Sequence, residues 1–183
     1  MKNQKGVSLI ALVITIIVVI ILAAIAFNSS TSTIEKANYS KFVTNVGEVR
    51  DAFKTASTTF KGEQAAAGNE ITDAQAYDCV AKGSGDILPE NKVPDYTIID
   101  KAKAKESVGI ELPVIKVNTP NATGVEVTYA VTQKGEIFVW PPYKYEDKYY
   151  VNDTETVASN DATTVLGVTI KTTGDKLDAA ATK

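Results

Sequence analysis

Lys5-Gly6-Val7-Ser8-Leu9-Ile10 opens an apolar run that continues to Phe27 without a charged side chain. Ser8 and Thr15 are the polar side chains within it. At 1.5 Å rise per residue the run 7–27 makes a helix of about 31 Å, which matches the hydrocarbon core of a bilayer. Much of it is β-branched Val, Ile and Thr, mediocre helix material in water. In lipid, however, the backbone satisfies its polar groups only by closing its own hydrogen bonds. A membrane-compatible helix over 7–27 is therefore expected.

What precedes the run is a short basic leader, Met1-Lys2-Asn3-Gln4-Lys5-Gly6. A basic residue and a glycine, then a small apolar residue, a hydroxyl residue, Leu and Ile, resembles the cleavage site of type IV prepilins and pseudopilins. The match is Lys5, Gly6, Val7, Ser8, Leu9 and Ile10. This resemblance implies that a prepilin peptidase cuts after Gly6 at the cytoplasmic face and methylates the new terminus at Val7. The apolar segment, with Ser8, Leu9, Ile10, Ala11 and Ile17, is then kept as an assembly helix. It implies membrane residence as a precursor and later a cell-surface filament built from copies of the chain, with or without other pilins. The chain departs from the family at Ala11, where a glutamate usually stands, and at Ile20 and Asn28, where Gly and Pro often sit. An intramembrane carboxylate costs about 2.5 to 3.5 kcal/mol on insertion scales, so Ala11 eases embedding while removing a device for registering neighbouring subunits.

Two plainer readings remain open. Ala24-Ile25-Ala26 supplies the small-residue pattern of a signal-peptidase site, although the apolar core exceeds the usual ~7 to 15 residues of a signal peptide. An uncleaved single-span anchor is the other. In both, Lys2 and Lys5 hold the short end in the cytoplasm and the remainder lies outside. These readings correspond to a monomeric secreted or membrane-anchored surface-binding protein.

Outside the apolar run the composition argues against catalysis. The chain has no histidine and a single cysteine, Cys79. That removes Ser-His-Asp and Cys-His machinery, imidazole metal sites and thiolate zinc clusters. The acids Glu146, Asp147, Asp153 and Glu155 have nothing in the sequence to fix the separation a glycosidase needs. Asp153, Asn160 and Asp161 follow no calcium-loop spacing. A net charge of -3 with a single arginine, Arg50, gives no basic patch for nucleic acid on the folded part. No enzyme activity, cofactor or metal is expected, and with one cysteine no intrachain disulfide forms.

The rest of the chain reads as one α+β headpiece. The small polar residues of 28–33 compete with their own backbone and mark a weak point in a helix. The helical pattern of 28–61 carries an apolar stripe of Tyr39, Phe42, Val46, Val49, Phe53, Ala56 and Phe60, spaced three and four apart and suited to lying on a sheet. Lys61-Gly62 is expected to close it. A continuous helix from 7 to 60 would be a rod of about 80 Å, against a radius of gyration of roughly 14 Å for the remainder. The region 62–109 is a connection with two short helices, one starting at Thr72-Asp73, ending before Gly83 and bearing Cys79, the other over 100–107. From Ile110 the period becomes two, giving an antiparallel sheet over 110–171. Strands are expected over 110–117, 125–131, 137–140 and 165–170, with a turn at 133–136. The tyrosines of 143–151 form a surface loop leading into a short strand, either an adhesive patch or a packed edge. The segment 172–183 is expected to be a mobile tail.

Overall fold

The computed structural model describes residues 9–159, 161 and 163–180, and leaves out the side chains of 9–11 and 24–31. The described chain is mixed α+β, with helices and several small antiparallel sheets. It divides into two units, Met1–Tyr39 and Ser40–Lys183. Helical backbone is assigned to Leu9–Ala66, α1, and includes 28–33. Gly62 does not end it. Closure comes at Gly68 (φ 84°), where the Gly68 N–H donates to Ala65 O at 3.0 Å and the Asn69 N–H to Gln64 O at 2.9 Å. That bond pair is a Schellman stop, whereas Gly62 lies inside the helix.

Within Ser40–Lys183 the organising element is a three-stranded sheet of β1 (Tyr96–Ile98), β4 (Thr128–Thr132) and β5 (Ile137–Trp140). It is antiparallel throughout, with Ile98 opposite Ala130 and Ala130 opposite Phe138. Alternation along each strand gives it two buried faces. Tyr96, Ala130, Phe138 and Trp140 point to one face and pack with Val151, Val165, Ile170 and Leu177. The opposite face carries Thr97, whose hydroxyl donates to buried Asp78 of α2 (Asp73–Lys82). Asp78 also accepts from Lys82 at 2.7 Å, so its buried carboxylate is doubly engaged.

Helix α2 follows local rules at both ends. Thr72 and Gln75 form a reciprocal capping box, and Gly83 takes the left-handed conformation at the other end. Ala76, Cys79, Val80 and Ala81 are its buried apolar residues. Ala74 and Tyr77 are only half-buried. Tyr77 has another task, covering the β4–β5 turn: a Cβ on Gly135 (φ 82°) would fall 2.2 Å from the Tyr77 ring. Helix α3 (Lys101–Ser107) is capped by Asp100, whose carboxylate accepts from the Ala102 and Lys103 N–H groups.

The expected single sheet over 110–171 is corrected to several small ones. Pro113 interrupts 110–117, leaving only β2 (Lys116–Val117), paired with β3 (Val125–Glu126). The tyrosine segment is a hairpin, not a loop: β6 (Tyr143–Tyr145) and β7 (Lys148–Tyr150) turn at Glu146 (φ 53°) and continue to β8 (Thr156–Val157). The expected last strand is also a hairpin, β9 (Thr164–Val165) and β10 (Val168–Thr169), reversing at Leu166 and Gly167 with φ of 50° and 76°. Nor is 172–180 a free tail. Thr172–Thr173 (β11) and Lys176–Leu177 (β12) pair, Leu177 is buried, and Asp178 O accepts from the Tyr96 hydroxyl at 2.5 Å.

Candidate assembly surfaces

Of the residues expected to act in processing and assembly, Gly6, Val7 and Ser8 lie outside the described residues. Leu9, Ile10 and Ala11 have helical backbone, and their side chains lie outside the description. Beyond them the side chains are apolar and uncovered. Leu12, Ile14, Ile17, Val19 and Leu22 are between 51% and 63% exposed, and their large apolar neighbours are similar. Thr15 satisfies its hydroxyl within the helix, donating to Leu12 O at 2.8 Å. Among the described residues no helix is long and apolar enough to cross a membrane. The described side chains of the run are those of 12–23, and the expected span 7–27 lies partly outside the description.

The headpiece stripe is buried where it is densest. Phe42, Val46, Val49 and Phe53 are 2% exposed or less. Phe42 stacks on Tyr143, ring centroids 4.6 Å apart and planes 16° off parallel, which ties the tyrosine hairpin to the helix. About two turns on from Phe42, Arg50 reaches Asp153 at 2.6 Å. That bond and the charge of Asp153 raise the Arg50 pKa against the opposing effect of burial. Asp153 and Glu155 are thereby engaged in packing, since Glu155 accepts from the Leu166 N–H at 2.8 Å. Among the described residues no group of three or more His, Cys, Asp or Glu side chains gathers to hold a metal ion; Asn160 lies outside them.

The two ends of the stripe depart from expectation, since Tyr39, Ala56 and Phe60 are only half-buried. After Phe53 the inward position passes to Ser57, 4% exposed, whose hydroxyl donates to Phe53 O at 2.7 Å. A strict heptad drifts around a helix of 3.6 residues per turn, and Ser57, four after Phe53, corrects the drift. Because its hydroxyl bonds the preceding turn, a serine can be buried there without an unpaired donor. That spacing was the available signal.

Ala56 and Phe60 face instead an open groove of about 770 Å³ between α1 and the carboxy-terminal ends of α2 and α3. Ala52 and Val80 extend its apolar lining, and Asp51 and Glu63 bring carboxylates to it. Sequence reading missed this surface. Its signal is small residues three and four apart, Ala52, Thr55, Ala56 and Thr59, beside the large-residue stripe. Cys79 contributes to the lining but is itself buried, and burial pushes its thiol pKa up, with Asp78 and Asp86 adding and Lys82 opposing.

Burial also raises the phenol pKa values of Tyr77, Tyr96 and Tyr129. In each case the folded chain holds its proton at a pH where the unfolded chain has released it. The associated stability is intact below the ordinary values of 9.0 for the thiol and 10.0 for the phenols and is lost as pH rises past them. The melting temperature should accordingly fall as pH rises above 9.0. Tyr129→Phe should flatten that fall, as measured by circular dichroism across an alkaline series. An equally steep fall in the variant would remove Tyr129 as a cause.

Neither a family model, nor a curated protein, nor a solved structure matches this chain.

Proposed function

We propose that this chain is a structural subunit of a type IV pilus-like extracellular filament, not an enzyme. The observation that carries the reading is the uncharged, exposed apolar surface of 12–22, following Lys5-Gly6-Val7-Ser8-Leu9-Ile10. Each Leu, Ile or Val there contributes roughly 1.5 to 3 kcal/mol when it leaves water. Such a surface needs lipid or other copies of itself. In this reading a prepilin peptidase cuts after Gly6 and methylates Val7. The apolar half of a long amino-terminal helix then rests in the cytoplasmic membrane until it packs in the filament core. The second half of that helix, with Phe42, Val46, Val49 and Phe53 inward, carries the headpiece at the cell surface. Ala11 leaves the terminal amine without the family's carboxylate partner, which favours filaments in which another pilin forms the bulk.

The reading is tested on filaments sheared from cells that express the chain. An antibody against the headpiece should label them, and peptide mapping should find the chain in the filament fraction. Recovery of the chain only as a monomer in the membrane or medium would instead support a surface-binding protein with a cleaved signal or single anchor.

A further inference from the structure

Asparagine is followed two residues later by Ser or Thr, with no proline between, at Asn28, Asn38, Asn121 and Asn152. That tripeptide is the acceptor for N-linked glycosylation of exported chains, and it serves only where the carboxamide can enter a transferase. The fold sorts these positions. Asn28 and Asn38 lie within the helical backbone of Leu9–Ala66, and a helical tripeptide must first be unwound at a cost in free energy. Asn152 is 1% exposed. Its Oδ1 accepts from the Thr154 N–H at 2.9 Å, the Glu155 N–H at 2.5 Å and the Thr154 hydroxyl at 3.3 Å. Acceptor and threonine are there engaged with each other.

At Asn121 the same tripeptide is presented. Asn121, Ala122 and Thr123 are all exposed, in the loop between β2 and β3. The loop is closed through Thr119, not through the side chains of the tripeptide. The Thr119 N–H donates to Ala122 O at 2.9 Å, and Thr119 Oγ1 accepts from the N–H groups of Asn121 and Ala122 at 3.3 and 3.1 Å. The Thr119 hydroxyl donates in turn to the Asp175 carboxylate at 2.9 Å, and the Gly124 N–H donates to Asn118 Oδ1 at 3.0 Å. Among the described residues no hydrogen bond engages the Asn121 carboxamide or the Thr123 hydroxyl. The two groups that define the motif can therefore be taken up without breaking a side-chain contact of the fold.

We propose that Asn121 carries an N-linked glycan, added outside the membrane from an oligosaccharide held on a polyprenyl phosphate. In the transfer Asn121 Nδ2 bonds the anomeric carbon of the sugar, and the bond from that carbon to the phosphate oxygen breaks. The lipid phosphate leaves with the electron pair, and Nδ2 gives up one proton to a base of the transferase. The product projects a bulky, solubilising group from the tip of the β2–β3 hairpin. The inference rests on export of the headpiece, which the filament reading shares with the anchored or secreted one.

The test uses the full chain extracted from the surface of the cells that make it. Trypsin should release peptide 117–134, and electron-driven fragmentation, which leaves a sugar on its residue, should place an oligosaccharide mass on Asn121 and none on Asn118. Asn121→Gln and Thr123→Ala should each abolish that mass, Thr123→Ser should keep it, and headpiece melting should stay at the parental value in all of these variants. A bare Asn121 in the native peptide, a sugar that survives Asn121→Gln, or a glycan on Asn38 or Asn152 would overturn the inference and leave the filament reading standing. A glycan on Asn121 of a chain found only as a monomer would remove the filament reading and leave the inference.

Discussion

Ile17→Asp is expected to abolish filaments while leaving Ser40–Lys183 folded. Ile17 lies in the middle of the apolar surface, 51% exposed, with Ile14, Ile16, Val18, Ile20 and Ile21 around it. A carboxylate at that depth costs about 2.5 to 3.5 kcal/mol on insertion scales when no partner is in reach. In a polymer the cost recurs at every subunit, so even the lower figure, a factor of about 70 in each association constant, is enough to stop growth. The headpiece is a separate unit beginning at Ser40, and its melting in detergent should match that of the parent. Electron microscopy and sedimentation of the sheared fraction provide the readout. Filaments at normal yield would mean that this helix does not form the core.

The second large effect falls on the headpiece. Phe53 is 0% exposed, and Phe53→Ala should destabilise Ser40–Lys183 by about 3 to 5 kcal/mol, through lost transfer energy and the cavity left behind. Against a typical total stability of about 5 to 15 kcal/mol this is a large fraction. Phe60→Ala, at a half-buried position on the groove, should cost much less. Urea midpoints for both variants, with unchanged slopes, measure the contrast. Equal losses would mean that the inward face of α1 has been assigned to the wrong residues.

The features legible in the sequence are those whose determinants are local. Thr72, Gln75 and Gly83 bracket α2, Asp100 starts α3, and Gly135 sits in the β4–β5 turn, each with the chemistry its position requires. The hairpins at 143–150 and 164–169 were hidden because Glu146 and Leu166 take positive φ, a conformation that other residue types signal more clearly. Leu166 also made 165–170 look like one apolar strand. The hairpin at 172–177 is secured by Leu177 and by Asp178 O against Tyr96, 82 residues away in the chain, and no local pattern announces such a contact. The groove is likewise tertiary: it needs α1, α2 and α3 together. In the amino-terminal segment the reading ran the other way. There the motif residues Gly6, Val7 and Ser8 lie outside the described residues, and the sequence carries the argument.

The most direct test of the filament account is the mature amino terminus of the surface-extracted chain, read by intact mass and terminal peptide analysis. A prepilin peptidase requires Gly6, because a residue without a β-carbon lets the backbone approach closely and bend before the helix begins. A signal peptidase would instead cut after Ala26 and remove the apolar segment. The account predicts a chain beginning at Val7 and carrying one methyl group, a product that Gly6→Trp should block. A mature terminus at Phe27 would contradict it, because the chain would then have lost the helix on which assembly depends.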